Sequence, residues 1–161
     1  MSVQIHSQIT LDNTWVDSIL LTGFDGQYGA CWYWLLNEVG PVPKRHYTYV
    51  PDPNGISYAD GEEPKILTQI EFEGWDLEEW PPVREEVIDP ATNRLRLDLD
   101  GLQYACNLVL SDDHLQKVGT GQQLLVAVAY AQHYPDEAPD LDAEAADVLI
   151  QIALFGEIIF G

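Results

Sequence analysis

Apolar residues recur at helical spacing near the start of the chain: Trp15, Val16, Ile19, Leu20 and Phe24, with Asp17, Ser18 and Thr22 between them. One apolar side chain every three or four positions makes a single face, so the spacing predicts an amphipathic helix over 13–24. Asp12-Asn13-Thr14 supplies an N-cap, because short polar side chains accept from the first unpaired backbone N–H groups. Asp25-Gly26-Gln27-Tyr28-Gly29 breaks the helix. Ahead of it, Val3, Ile5, Ile9 and Leu11 alternate loosely and suggest a strand over 3–11.

Ala30 to Leu36 is an apolar run dense in aromatics, Trp32-Tyr33-Trp34 among them. Such residues favour a strand covered on both faces, ended here by Gly40-Pro41-Val42-Pro43. Arg45 to Val50 alternates as a short strand with Tyr47 and Tyr49 on one face, and the prolines and glycines of 51–64 mark a long loop. Ile66, Thr68, Ile70 and Phe72 alternate with Leu67, Gln69 and Glu71, as in a half-exposed strand. Gly74 to Pro82 is irregular, acidic and aromatic. Val83 to Asp89 and Arg94 to Leu99 read as a hairpin about Pro90-Ala91-Thr92-Asn93, with Leu95, Leu97 and Leu99 on one side.

Asp100 is placed to cap a helix carrying Leu102, Ala105, Cys106, Leu108 and Val109, and Ser111-Asp112-Asp113 ends it or begins another segment. Gly119-Thr120-Gly121 is a second break, and Gln122 to Gln132 is apolar enough for a buried helix, while its Val and Tyr content leaves a strand open. After an acidic loop from His133 to Leu141, Asp142 caps a last helix over 143–155, with Val148, Leu149, Ile152 and Phe155 inward. Gly156 suits its C-cap, where glycine takes the left-handed conformation without a Cβ clash. Glu157 to Gly161 is a short apolar tail. The elements add up to an α+β fold: one domain over 1–161, with a mostly antiparallel sheet of about four or five strands and three or four helices.

Charge changes the picture most. The chain of 161 residues carries 27 Asp and Glu against 7 Lys and Arg, a formal charge of −20. Like charges repel in a compact body, so this excess costs stability. It also repels nucleic acid and anionic membranes and attracts basic protein surfaces, so neither direct nucleic-acid binding nor membrane binding is expected. Hydrophobic residues at 46% and aromatics at 11% supply a core, which a disordered acidic tail lacks. Duplex DNA holds one charge per about 1.7 Å of axis, so this charge equals that of about 34 Å of duplex. A domain of this length has a diameter of roughly 40 Å, about the same span. The acids cluster: thirteen stand between Asp60 and Asp100 against four bases, and none of the residues from Val118 onward is Lys or Arg.

Catalytic and metal-binding patterns are missing from the sequence. Cys31, Cys106 and four scattered histidines give no zinc spacing. Asp98-Leu99-Asp100-Gly101 and the Asp140 to Glu144 run share only part of a calcium loop, and helix caps explain Asp100 and Asp142 better. Glu78/Glu79 and Glu85/Glu86 are carboxylate pairs without the apolar shielding that general acid catalysis needs. No nucleophile elbow, P-loop or dinucleotide fingerprint occurs, so no cofactor and no metal is expected, and a non-enzymatic role is favoured. No run of about 18 apolar residues predicts a membrane span. The first residues lack the basic start and apolar run of a signal peptide, so a cytoplasmic protein with reduced thiols is expected.

Two stretches, 15–34 and 142–161, resemble small acidic proteins encoded by actinobacterial phages and mobile elements. The residues concerned are Trp15 to Leu20 through Gly26 to Trp34, and Ala146 to Gly161. The resemblance brings no catalytic residues across. It implies a protein at work inside an infected or carrying cell, where small acidic phage proteins often inhibit host DNA-binding or defence proteins, some by imitating DNA.

The reading that follows is an acidic interaction protein that blocks a basic, nucleic-acid-binding surface of a host or defence protein. Trp75 and Trp80 would add contact area, and Asp76, Glu78, Glu79, Glu85, Glu86, Asp136, Glu137 and Asp140 would stand where phosphates stand. A second reading is a small-molecule binder or enzyme with a pocket between helix 13–24 and the aromatic run, lined by Asp25, Tyr28, Trp32 and Gln151. Gln151 lies in an apolar helix and needs a hydrogen-bond partner if buried. A third is adaptation to salt, in which the charge says nothing about partners.

Overall fold

The computed structural model describes residues 10–24, 29–35, 41–50, 65–117, 119–134 and 141–160. The first helix, α1 (Asn13–Phe24), forms where its apolar spacing places it. Asp12 Oδ1 accepts from the N–H groups of Thr14 and Trp15 at 3.0 and 3.1 Å, and Trp15, Val16, Ile19, Leu20 and Phe24 are buried. At the other end, Arg45 donates to the Phe24 carbonyl, one of the acceptors a helix leaves unpaired. Gly29 crosses the end of α1 so closely that a Cβ there would overlap the Gly23 carbonyl.

Among the described residues the sheet has three antiparallel strands in the order β1 (Val42–Tyr49), β2 (Lys65–Glu73) and β3 (Leu95–Leu97). Strict alternation cannot bury both Leu67 and Ile70, which are three residues apart. A bulge resolves this: Gln69 pairs with His46 and Leu67 with Tyr47, so Thr68 is the extra residue and the inward face is regained. Leu67, Ile70, Phe72, Leu95 and Leu97 line that face, and α1 packs across it. The Asp17 carboxylate accepts from Leu67 N–H at 2.6 Å and locks helix to strand.

The remaining helices are α2 (Trp32–Leu35), α3 (Leu99–Ser111), α4 (Asp113–Gln116), α5 (Gly119–His133) and α6 (Ala143–Phe155). Helix α6 is the hub of the helical layer. It touches α1, α3, α5 and β3, and every residue from Ala145 to Phe155 except Val148 is buried. Asp142 caps it by accepting from Ala145 N–H at 2.8 Å, and Gly156 ends it at φ 78°. That N–H bond, with a second from Gln123, holds the Asp142 carboxyl below its ordinary range.

The fold is α+β as expected, but the described residues form three strands in place of four or five and six α-helices in place of three or four. The described part of the aromatic run, Ala30 to Leu35, is not a strand. Leu35 N–H bonds to Cys31 O at 3.1 Å, closing the helical turn α2, while Cys31 N–H takes the Gly23 carbonyl at 3.1 Å. Packing onto α1 overrides the β preference of the aromatics. Pro41-Val42-Pro43 does not close a strand; Val42 opens β1. Asp98, not Asp100, caps α3: its backbone is extended and its carboxylate accepts from Gly101 N–H at 3.5 Å. Val83 to Asp89 makes a 3-10 turn (Glu85–Val87) and one bridge, Ile88 to Leu95, in place of a strand. Gly119-Thr120-Gly121 opens α5 instead of interrupting the chain. Of the strand expected over 3–11, residues 3–9 lie outside the described residues and Thr10 and Leu11 are not in a strand; the loop 51–64 and most of the loop 133–141 also lie outside them.

Candidate functional site

The acidic and aromatic segment after β2 is pinned to the core by its tryptophans. The Trp75 ring lies 5.3 Å from Phe72, 5.9 Å from Phe155 and 4.8 Å from Trp80. Trp80 in turn lies 6.3 Å from Trp34 and 6.1 Å from Phe160. Both rings are half-buried, so they anchor the segment and leave only part of each face at the surface. Trp75 Nε1 is buried without a hydrogen-bond partner. Between the two rings the chain turns on Asp76, whose Oδ1 accepts from Glu78 and Glu79 N–H at 2.9 and 3.4 Å. The turn leaves Asp76, Leu77, Glu78 and Glu79 exposed.

Arg84 fixes the next stretch. Its N–H bonds to Leu154 O at 2.7 Å and its Nη1 to Ala153 O at 2.8 Å, and its guanidinium lies 3.5 Å above the Tyr104 ring. A cation at the C-terminus of α6 meets both the unpaired carbonyls and the negative end of the helix dipole. Arg84 is thereby committed to the fold, and Glu85 and Glu86 project from the 3-10 turn beside it.

The other bases are gathered elsewhere. Five of the seven Lys and Arg lie on or beside the sheet: Lys44, Arg45, Lys65, Arg94 and Arg96. On the solvent side, Lys44 Nζ meets Glu73 at 2.7 Å, and Arg94 spans Glu71 and Glu73 at 3.0 and 3.1 Å. The hydrogen bond from Lys44 holds the Glu73 carboxyl below its ordinary range. Arg96 faces Asp89 at 3.9 Å, and Lys65 lies 4.7 Å over the Tyr47 ring. Such exposed pairs contribute little stability, but they neutralise the sheet. Among the described residues, Asp76, Glu78, Glu79 and Glu85 make no ion pair with a Lys or Arg.

A second constellation surrounds α6. Asp147 is only 7% exposed. Its Oδ1 accepts from Trp34 Nε1 at 2.7 Å and Gln151 Nε2 at 3.1 Å, and its Oδ2 accepts from the Tyr33 hydroxyl at 2.6 Å. Burial, with the carboxylate beside it, pushes the Tyr33 hydroxyl up to about 12 and raises the Cys31 thiol. Gln151, fully buried, holds the tail with both ends of its amide. Beside this network lies a cavity of about 510 Å³. Ala30 and Tyr33 line it from α2 and the residues before it, His114 and Leu115 from α4, Thr120 from α5, Glu144, Asp147 and Val148 from α6, and Ile158 and Phe160 from the tail.

Of the residues singled out from sequence, Trp75, Asp76, Glu78, Glu79, Trp80, Glu85 and Glu86 lie on one stretch of chain that Trp75 and Arg84 hold to the end of α6. Asp136, Glu137 and Asp140 lie outside the described residues, as do Asp25 and Tyr28 and the side chain of Trp32. Gln151 grips the tail and does not line the cavity. Sequence reasoning missed Tyr33, Asp147 and Phe160. The available signal was the pair Asp147 and Gln151, two polar residues one turn apart on an otherwise apolar helix face.

Among the described residues, no group of three or more His, Cys, Asp or Glu is placed to hold a metal ion. No described helix is long and apolar enough to cross a membrane. No protein-family model, curated protein or solved structure matches the chain.

Proposed function

We propose that this is a non-enzymatic acidic interaction protein that occupies a basic, nucleic-acid-binding surface on another protein. One observation carries the reading. Six of the seven Lys and Arg, all but Lys117, lie on or beside the sheet or at the end of α6, while Asp76, Glu78, Glu79 and Glu85 stand exposed with no Lys or Arg ion-pair partner among the described residues. Segregation of that kind leaves these carboxylates free at the surface of a chain whose net charge is −20, where they steer a basic partner into fast, salt-sensitive association. The exposed parts of Trp75 and Trp80 supply apolar contact within the acidic rim. Carboxylates would then occupy the positions of phosphates and compete with nucleic acid. The likeness to small acidic phage and mobile-element proteins fits a target among host or defence proteins and a place in the cytoplasm of the infected or carrying cell.

The test is capture of partners on immobilised protein from nuclease-treated lysate, followed by elution in rising salt. Support is a captured protein that binds nucleic acid on its own, elutes with salt, and is lost when Glu78, Glu79, Glu85 and Glu86 are all changed to Gln. A partner with no affinity for nucleic acid, or one held equally by the quadruple variant, overturns the reading.

A further inference from the structure

We propose that the cavity between α2, α4, α5, α6 and the tail binds a small organic cation, an ammonium group carried on an apolar body. The proposal is independent of the acidic-surface reading. The volume of about 510 Å³ falls within the range of small-molecule sites, about 300–1,000 Å³. Leu115, Val148, Ile158 and Phe160 supply an apolar wall. The charged lining is one-sided: Glu144 and Asp147 stand one turn apart on α6, His114 adds an imidazole, and none of the described lining residues is Lys or Arg.

Asp147 decides the sign of the ligand. Its carboxylate is more than nine-tenths buried, yet the groups that donate to it from Trp34, Gln151 and Tyr33 are all neutral. Hydrogen bonds of this kind disperse a buried negative charge without cancelling it. An anion entering the cavity would meet that charge as repulsion. A neutral molecule would gain apolar burial alone. An ammonium group gains burial of its body and attraction at its head, with the rings of Tyr33 and Phe160 available to face it. The N-terminus of α6 borders the cavity with the opposite sign. Its partial positive charge is offset, because the Asp142 carboxylate caps it and Glu144 lies in the first turn. A volume of about 510 Å³ is that of a site for a whole small molecule, which favours a free ligand over a single side chain of a partner.

The experiment titrates 2-phenylethylammonium, neutral 2-phenylethanol, anionic 3-phenylpropanoate and N-acetyl-lysine methylamide into the full chain, followed by two-dimensional NMR. The expected result is saturable binding of 2-phenylethylammonium with shifts at Tyr33, Asp147 and Phe160, and binding of each other probe weaker by about tenfold or more. Asp147→Asn should weaken the ammonium by about tenfold. In case that variant does not fold, Ala143→Trp, at an exposed lining position, should abolish binding while leaving the net charge unchanged. Equal binding of all four probes, no saturation, shifts confined to Asp76–Glu79, or undiminished binding to Ala143→Trp would each overturn the proposal. An equal affinity for the lysine analogue would overturn the choice of a free ligand.

Discussion

The side-chain amide of Gln151 pairs with the backbone of Phe160 in both directions. Its Oε1 accepts from Phe160 N–H at 2.8 Å, and its Nε2 donates to Phe160 O at 3.0 Å. Ile159 N–H adds a third bond at 2.9 Å. One buried side chain thus satisfies the tail as a neighbouring strand would, and it holds the Phe160 ring stacked on Trp34 at 5.1 Å. The polar position inside α6 exists to seat this tail.

Gln151→Leu keeps the volume and removes all of these bonds. Each buried polar group left unpaired costs about 1–3 kcal/mol, so a loss of about 2–4 kcal/mol in unfolding free energy is expected. Tryptophan emission should change as Phe160 leaves Trp34. Chemical denaturation with fluorescence detection measures both, and unchanged stability would contradict the role given to the tail.

Tyr33 gives a signature at high pH. Its hydroxyl is raised from an ordinary value of 10 to about 12, so the folded state holds the proton that the unfolded state releases. The stabilisation is fully present below pH 10 and is lost as pH rises toward about 12. The parent should therefore lose stability relative to Tyr33→Phe across that window. Parallel decline of the two would show that the contact with Asp147 is not formed in solution.

Both thiols should be inert in the folded protein. Cys31 and Cys106 are fully buried, and burial raises Cys106 to about 12 and Cys31 further, with the nearby Asp147 carboxylate adding to the effect. Thiolate is the reactive form, so labelling by a disulfide reagent should proceed only as fast as the chain opens. Reaction of either thiol at the rate of a free cysteine would contradict this packing.

Salt should stabilise the domain without being required for it. The charge of −20 repels itself over about 30 Å at 0.01 M salt and over about 8 Å at 0.15 M. The thermal midpoint should rise between those conditions while circular dichroism shows a folded chain in both. A chain that unfolds in dilute buffer would favour salt adaptation as the meaning of its charge.

The helices were legible because their signals are local. Asp12 before α1, and Asp142 and Gly156 around α6, combine caps with apolar spacing, and both helices form within the expected bounds. Misreadings arose where distant residues decide. The aromatic run after Gly29 looks like a strand until Gly23 and Asp147 bind its backbone and its Trp34 side chain. Asp98 and Asp100 are equivalent as caps on paper, and the extended backbone at Asp98 chooses between them. The alternation of β2 conceals the bulge at Thr68, which only its pairing with β1 reveals. Gln151 could be recognised as a buried amide in need of partners. Asp147 carries no such signal, because nothing local distinguishes a solvated carboxylate from one buried against Tyr33 and Trp34.

The central claim is that the exposed carboxylates compete for a basic surface. The direct measurement places a captured partner on labelled duplex and follows fluorescence anisotropy as this protein is added, at about 50 mM and about 200 mM salt. The account predicts that the duplex is displaced, that displacement weakens with salt, and that the variant with Glu78, Glu79, Glu85 and Glu86 changed to Gln is weaker by about tenfold or more. A duplex that remains bound, or a variant that displaces it as well as the parent, would contradict the claim.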